Sequence, residues 1–126
     1  MEKQPEIIIS TVDLEKIEYQ LERSQLSEEL MNALEEELAR ASIVAHKEMP
    51  VGVVMLESQV TFKVIATDRT FTKTLCLPND LSKYEDSISI FAPIGSAILG
   101  LSAGQKISWQ IQGKPQAVEI VEVNNK

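Results

Sequence analysis

Two strand-like runs flank a polar turn in Gln59-Val60-Thr61-Phe62-Lys63-Val64-Ile65-Ala66, Thr67-Asp68-Arg69-Thr70 and Phe71-Thr72-Lys73-Thr74-Leu75-Cys76-Leu77. Val60, Phe62 and Val64 alternate with Thr61 and Lys63, the period-two pattern of a half-buried antiparallel strand. In the second run Phe71, Lys73, Leu75 and Leu77 alternate with Thr72, Thr74 and Cys76, so the stretch predicts a β-hairpin. Downstream, Pro78-Asn79-Asp80 opens a polar loop that lasts to Ser87, and residues 88–91 supply another short strand. The run Ala92-Pro93-Ile94-Gly95-Ser96-Ala97-Ile98-Leu99-Gly100 has proline at the start and glycine after its last apolar residue, the asymmetry of a short helix. Residues 106–111 and 116–123 form a final hairpin around Gln112-Gly113-Lys114-Pro115. In its second strand the alternation slips between Ile120 and Val121, which predicts either a bulge or a strand buried on both faces.

Upstream, Val53-Val54-Met55-Leu56 is also strand-rich, and Met49-Pro50 forces an extended backbone because proline disfavours helix in the residue before it. Before that step the period changes to that of helices. Ser10 is an N-cap with Asp13 three positions on as a capping-box acid. Leu14, Ile17 and Leu21 then make one apolar stripe. Ser24-Gln25-Leu26-Ser27 interrupts it, and Ser27 caps a second helix with the seam Leu30, Leu34, Leu38, Ala41 and Ala45. The two seams predict a short antiparallel coiled coil. The fold class is therefore α+β: residues 1–49 as an acidic helical hairpin, and residues 50–126 as an antiparallel sheet with one short helix.

Charge follows the same division. Residues 1–50 hold twelve acids against five bases, a net −7, and the rest of the 126-residue chain is neutral. Such a chain repels phosphate backbones, and six aromatic residues leave little for base stacking, so no direct nucleic-acid partner is expected. One cysteine and one histidine permit neither an internal disulfide nor a familiar zinc site. With no leader-like start and no apolar run long enough for a bilayer, the expectation is a cytoplasmic monomer without membrane contact, cofactor or metal.

Candidate chemistry is sparse. His46 is expected at the frayed end of the second helix, on the surface. Cys76 reads as a buried, inert thiol, because no histidine lies in its region. Gly95, Gly100 and Gly104 lack the Gly-Lys-Ser/Thr of a phosphate loop. Glu35-Glu36-Glu37 reads as a solvated face. Glu28 and Glu29, at the hairpin tip, could chelate Mg²⁺, but compensation of the helix dipole explains them without a partner.

The segment Ser87-Ile88-Ser89-Ile90-Phe91-Ala92-Pro93-Ile94-Gly95-Ser96-Ala97-Ile98-Leu99-Gly100-Leu101-Ser102-Ala103-Gly104 resembles the signature of the C-terminal domain of Gre transcript-cleavage factors. Glu57-Ser58-Gln59-Val60-Thr61-Phe62 is similar to the strand entry of the same domain. This resemblance implies an FKBP-like C-terminal domain without established isomerase activity, docking on bacterial RNA polymerase at the rim of its secondary channel. It also implies that Phe91, Ala92, Pro93, Ile94 and Ala97 form the contact surface. In Gre factors a long coiled coil carries acidic tip residues to the polymerase Mg²⁺. Here residues 13–23 and 28–45 would rise only about 16 and 27 Å as helix. The chain is thus expected to be a non-enzymatic competitor of Gre factors that does not stimulate cleavage. Two alternatives are a peptidyl-prolyl isomerase of FKBP type and a true cleavage factor using Glu28 and Glu29. Two positions depart from the family pattern: Phe91 stands where an acid is frequent, and Gly104-Gln105 replaces Gly-Asp.

Overall fold

The computed structural model describes residues 6–111 and 114–124. The side chains of Leu30, Pro93 and Trp109, the first five residues and the Gln112-Gly113 turn lie outside the described residues. The architecture is α+β. In chain order it has strand β1 (Ile8–Ser10), helices α1 (Thr11–Arg23) and α2 (Glu28–Arg40), strands β2 (Ser42–Val44), β3 (Gln59–Val64), β4 (Arg69–Cys76) and β5 (Ser87–Ser89), helix α3 (Pro93–Ile98), and strands β6 (Lys106–Ile111) and β7 (Lys114–Asn124).

The start of α1 follows from its cap: the Ser10 side chain accepts the Asp13 N–H at 3.1 Å, satisfying one of the donors a helix start leaves open. At its other end Ser24 closes the helix, its N–H donating to the Leu21 carbonyl. The second helix ends at Arg40, five residues earlier than its seam suggested. The β-branched pair Ile43 and Val44 is drawn instead into β2, which pairs in parallel with β1. Seam position Ala45 is therefore not helical, and His46 sits in a separate 3-10 turn over His46–Glu48.

Five strands form the main sheet in the order β5-β4-β3-β7-β6. The β3–β4 and β6–β7 hairpins are antiparallel as expected, with Phe62 opposite Phe71. The sheet is not wholly antiparallel, because β5 pairs in parallel with β4. That neighbour explains a second departure: Thr74, Leu75 and Cys76 are all buried, so the inward half of β4 does not alternate. Nor is residues 53–56 a strand; it contributes one bridge, Val53 to Ser102. The slip in β7 is a bulge. Thr61 faces Glu122 and Phe62 faces Ile120, leaving Val121 unpaired and 51% exposed while Val118 and Ile120 point inward.

Among the described residues, one core serves both parts of the chain. Ile7, Ile9, Ile17 and Leu34 pack in the same cluster as Val54, Val60, Leu75, Ile98, Leu101 and Ile120, so the packing runs across the Met49-Pro50 step without a break. The backbone adds two ties. Ile8 N–H donates to the Gly100 carbonyl at 3.0 Å, and Leu56 N–H donates to the Asp13 carboxylate at 3.1 Å.

Candidate functional site

The segment from β5 to α3 is held by its own backbone. Ser89 Oγ accepts the Phe91 N–H at 3.0 Å, the Ser89 carbonyl accepts the Ala92 N–H at 3.0 Å, and Ala92 in turn accepts from Ser96 at 2.9 Å. Pro93 occupies the first turn of α3, where a missing N–H costs nothing. Gly95 lets the helix lie directly on the Ser89 carbonyl. Of the expected contact residues, Phe91 and Ile94 are half-buried, each with one side against the core. Ala92 is half-buried beside them. Ala97, at 5% exposure, belongs to the core and supports the loop from beneath. At the end of the segment Gln105 explains its own presence: its side-chain oxygen accepts the Ser102 N–H at 2.8 Å, closing the turn.

Glu28 and Glu29 are exposed in the first turn of α2, beside the connection from α1. Each helix has 13 residues, a rise of about 20 Å. Near that tip the Arg23 guanidinium lies 3.7 Å from the centre of the Tyr19 ring.

The burial of two acids escaped the sequence reading. Asp13 is buried beside a cleft of about 460 Å³ that is also lined by Lys16, His46, Met55, Glu57 and Tyr84. Burial pushes its carboxyl above the ordinary range, against the lowering pull of the Leu56 N–H, Lys16 and His46. Glu57, in the left-handed region at φ 72°, accepts a 2.8 Å hydrogen bond from the Tyr84 hydroxyl, which pushes that phenol up to about 12. The second acid is Glu37, whose side chain is only 16% exposed. Its Oε2 is buried with no hydrogen-bond partner among the described residues, and desolvation lifts its carboxyl to about 7 despite Arg40. Glu35 and Glu36 are solvated as expected; Glu37 is not. Both buried acids carry a helical-spacing signal: Asp13 is four residues before Ile17, and Glu37 is three after Leu34 and four before Ala41.

Glu37 gives a pH dependence with a definite sign. A carboxyl whose folded pKa is raised penalises the native state once ionised, so the contribution of Glu37 to stability is most favourable below the ordinary value of 4.5 and is lost as pH climbs to about 7. Glu37→Gln should stabilise the protein by about 1 to 3 kcal/mol at pH 8 and by almost nothing at pH 4. Urea unfolding at the two pH values reads this directly.

A sheet carrying a buried-edge loop with α3, preceded by a two-helix arm packed on the same core, defines a class of protein. The chain belongs to the family of transcription elongation factor GreA/GreB C-terminal domains, which matches residues 49–125, and its residues 5–44 match the Rnk N-terminus. In particular, it is similar to the regulator of nucleoside diphosphate kinase of Escherichia coli (strain K12), with 34% identity over 110 residues, covering 86% of this chain and 81% of that protein. Transcription elongation factor GreA of Clostridioides difficile (strain 630) is 28% identical over 121 residues, 93% of this chain and 76% of its own. Among solved structures, a prokaryotic transcription elongation factor GreA/GreB from Nitrosomonas europaea superposes with a TM-score of 0.75 at 41% identity, covering 97% of this chain and all of that one.

Proposed function

We propose that the chain is a non-enzymatic transcription regulator that docks on bacterial RNA polymerase near the secondary channel and competes there with Gre-type factors, without stimulating transcript cleavage. The docking surface is the β5–α3 segment, with Phe91, Ala92, Pro93 and Ile94 as its contact residues and the buried Ala97 behind them. The observation that carries the reading is the length of the arm: 13-residue helices lift Glu28 and Glu29 about 20 Å at most. An arm of that size occupies an entrance without reaching a metal deep inside it, and the coiled-coil part of the proposal is confined to this stub. The isomerase alternative draws no support from the aromatic side chains, since Phe62 and Phe71 stack on each other with ring centres 5.8 Å apart.

Purified protein titrated into core polymerase carrying a labelled Gre factor should displace that factor, and stalled complexes should show no added transcript cleavage. Glu28→Ala with Glu29→Ala should leave displacement unchanged. Failure to displace the label would sink the docking proposal; cleavage that disappears in the double variant would establish the cleavage-factor alternative instead.

A further inference from the structure

Leu14, Leu21 and Leu38 belong to the seams that the sequence assigns to helix pairing, yet each is only half-buried. One side of each packs on the core. The other lines an open groove of about 520 Å³ between α1 and α2, completed by Ala39 and edged by Glu18, Glu22 and Glu35. The described lining includes three carboxylates and no basic side chain. Glu22 has Arg23 at 3.7 Å, but both ends of that pair are more than half exposed and the guanidinium rests on Tyr19, so it offsets little of the acidity. A volume of this size is within the range of well-formed binding sites. Leu14 and Leu21 stand seven residues apart, about 10 Å along the helix, which matches two turns of an occupant. A floor of leucines between two helices is the surface into which an amphipathic helix lays its apolar stripe, and the rim charge selects a cationic one.

We infer that the groove between α1 and α2 binds a basic amphipathic helix of a partner protein, which completes a three-helix layer. The occupant's apolar face covers Leu14, Leu21 and Leu38, and its flanking Lys or Arg residues meet Glu18, Glu22 and Glu35. This goes beyond polymerase docking through the β5–α3 segment and stands or falls separately from it.

The test uses the full chain and three synthetic 14-residue peptides labelled with fluorescein. One has leucines at helical three- and four-residue spacing with lysines elsewhere, the second replaces lysine by glutamate, and the third scrambles the first. The lysine amphipath should bind at least tenfold more tightly than either control, weaken with added salt, and shift the amide resonances of Leu14, Leu21, Leu38 and Ala39. Ala39→Arg fills the groove and adds a cation at an exposed position; it should weaken binding at least tenfold. Ala39→Gln, a milder filling, should weaken it less, and the off-groove Glu36→Gln should change it under twofold. Equal binding of the scrambled peptide, indifference to Ala39→Arg, or shifts centred elsewhere would overturn the proposal. So would concentration-dependent self-association through this face, which would make a second copy the occupant.

Discussion

Gly95→Ala should destabilise the protein by more than about 4 kcal/mol, enough to leave little native material at 37 °C. Inside an exposed helix the same change gains about 1 kcal/mol, because glycine is the more flexible residue. Here the sign reverses on contact geometry. A Cβ at position 95 would overlap the Ser89 carbonyl oxygen and stand 2.9 Å from the Ser89 carbonyl carbon and 3.3 Å from Ile90 Cα. All three are backbone atoms, so no side-chain rotamer can relieve the clash. The Ser89 carbonyl cannot swing away freely either, since it accepts the Ala92 N–H that opens α3. Urea unfolding of the variant, or its yield in soluble form, measures the effect. A Gly95→Ala protein as stable as its parent would mean that α3 does not lie on β5, and the docking surface would then need to be redrawn.

Gly100→Ala should lower stability by about 3 kcal/mol and concentrate the damage at the N-terminus. Two penalties combine. At φ 81° an L-residue costs about 1 to 2 kcal/mol. The new Cβ would also stand 2.9 Å from Ile7 Cβ and 3.1 and 3.2 Å from the Ile8 backbone oxygen and nitrogen. Gly100 is a junction: its carbonyl accepts from Ile8, and its N–H donates to Val54. Displacing it releases β1 on one side and residues 53–54 on the other. Hydrogen exchange should therefore quicken at Ile8 and Val54 well before it quickens at Val60 or Ile120 in the centre of the sheet. Uniform acceleration across all four amides would show instead that the strand does not peel away locally.

Local patterns carried much of this structure. The Ser10 cap, the proline-first helix α3, both antiparallel hairpins and the slip at Val121 all depend on neighbours a few residues apart, and all could be read from residue order. The parallel pairs β1–β2 and β4–β5 could not, because nothing within a strand names a partner that lies beyond an intervening helix or loop. The same gap shortened α2 relative to its seam: Ala41 continued the apolar spacing, but β1 offered Ile43 and Val44 a ladder. Of the candidate docking residues, their grouping on one loop was legible from the Ser87 to Gly104 stretch, whereas Ala97 facing inward was not. The burial of Asp13 and Glu37 was missed for a different reason: charged side chains are rarely buried, and only their phase on the apolar stripes hinted otherwise.

Since Ile17 and Leu34 are embedded in the same interior as the sheet, the lower halves of α1 and α2 are foundations. Any taller spire raised on this base adds its storeys beyond those two residues, in matched pairs of turns on the ascending and descending sides, with about 10 Å of height for each heptad added to both. Height above the foundation can then change while the sheet and α3 beneath keep their shape.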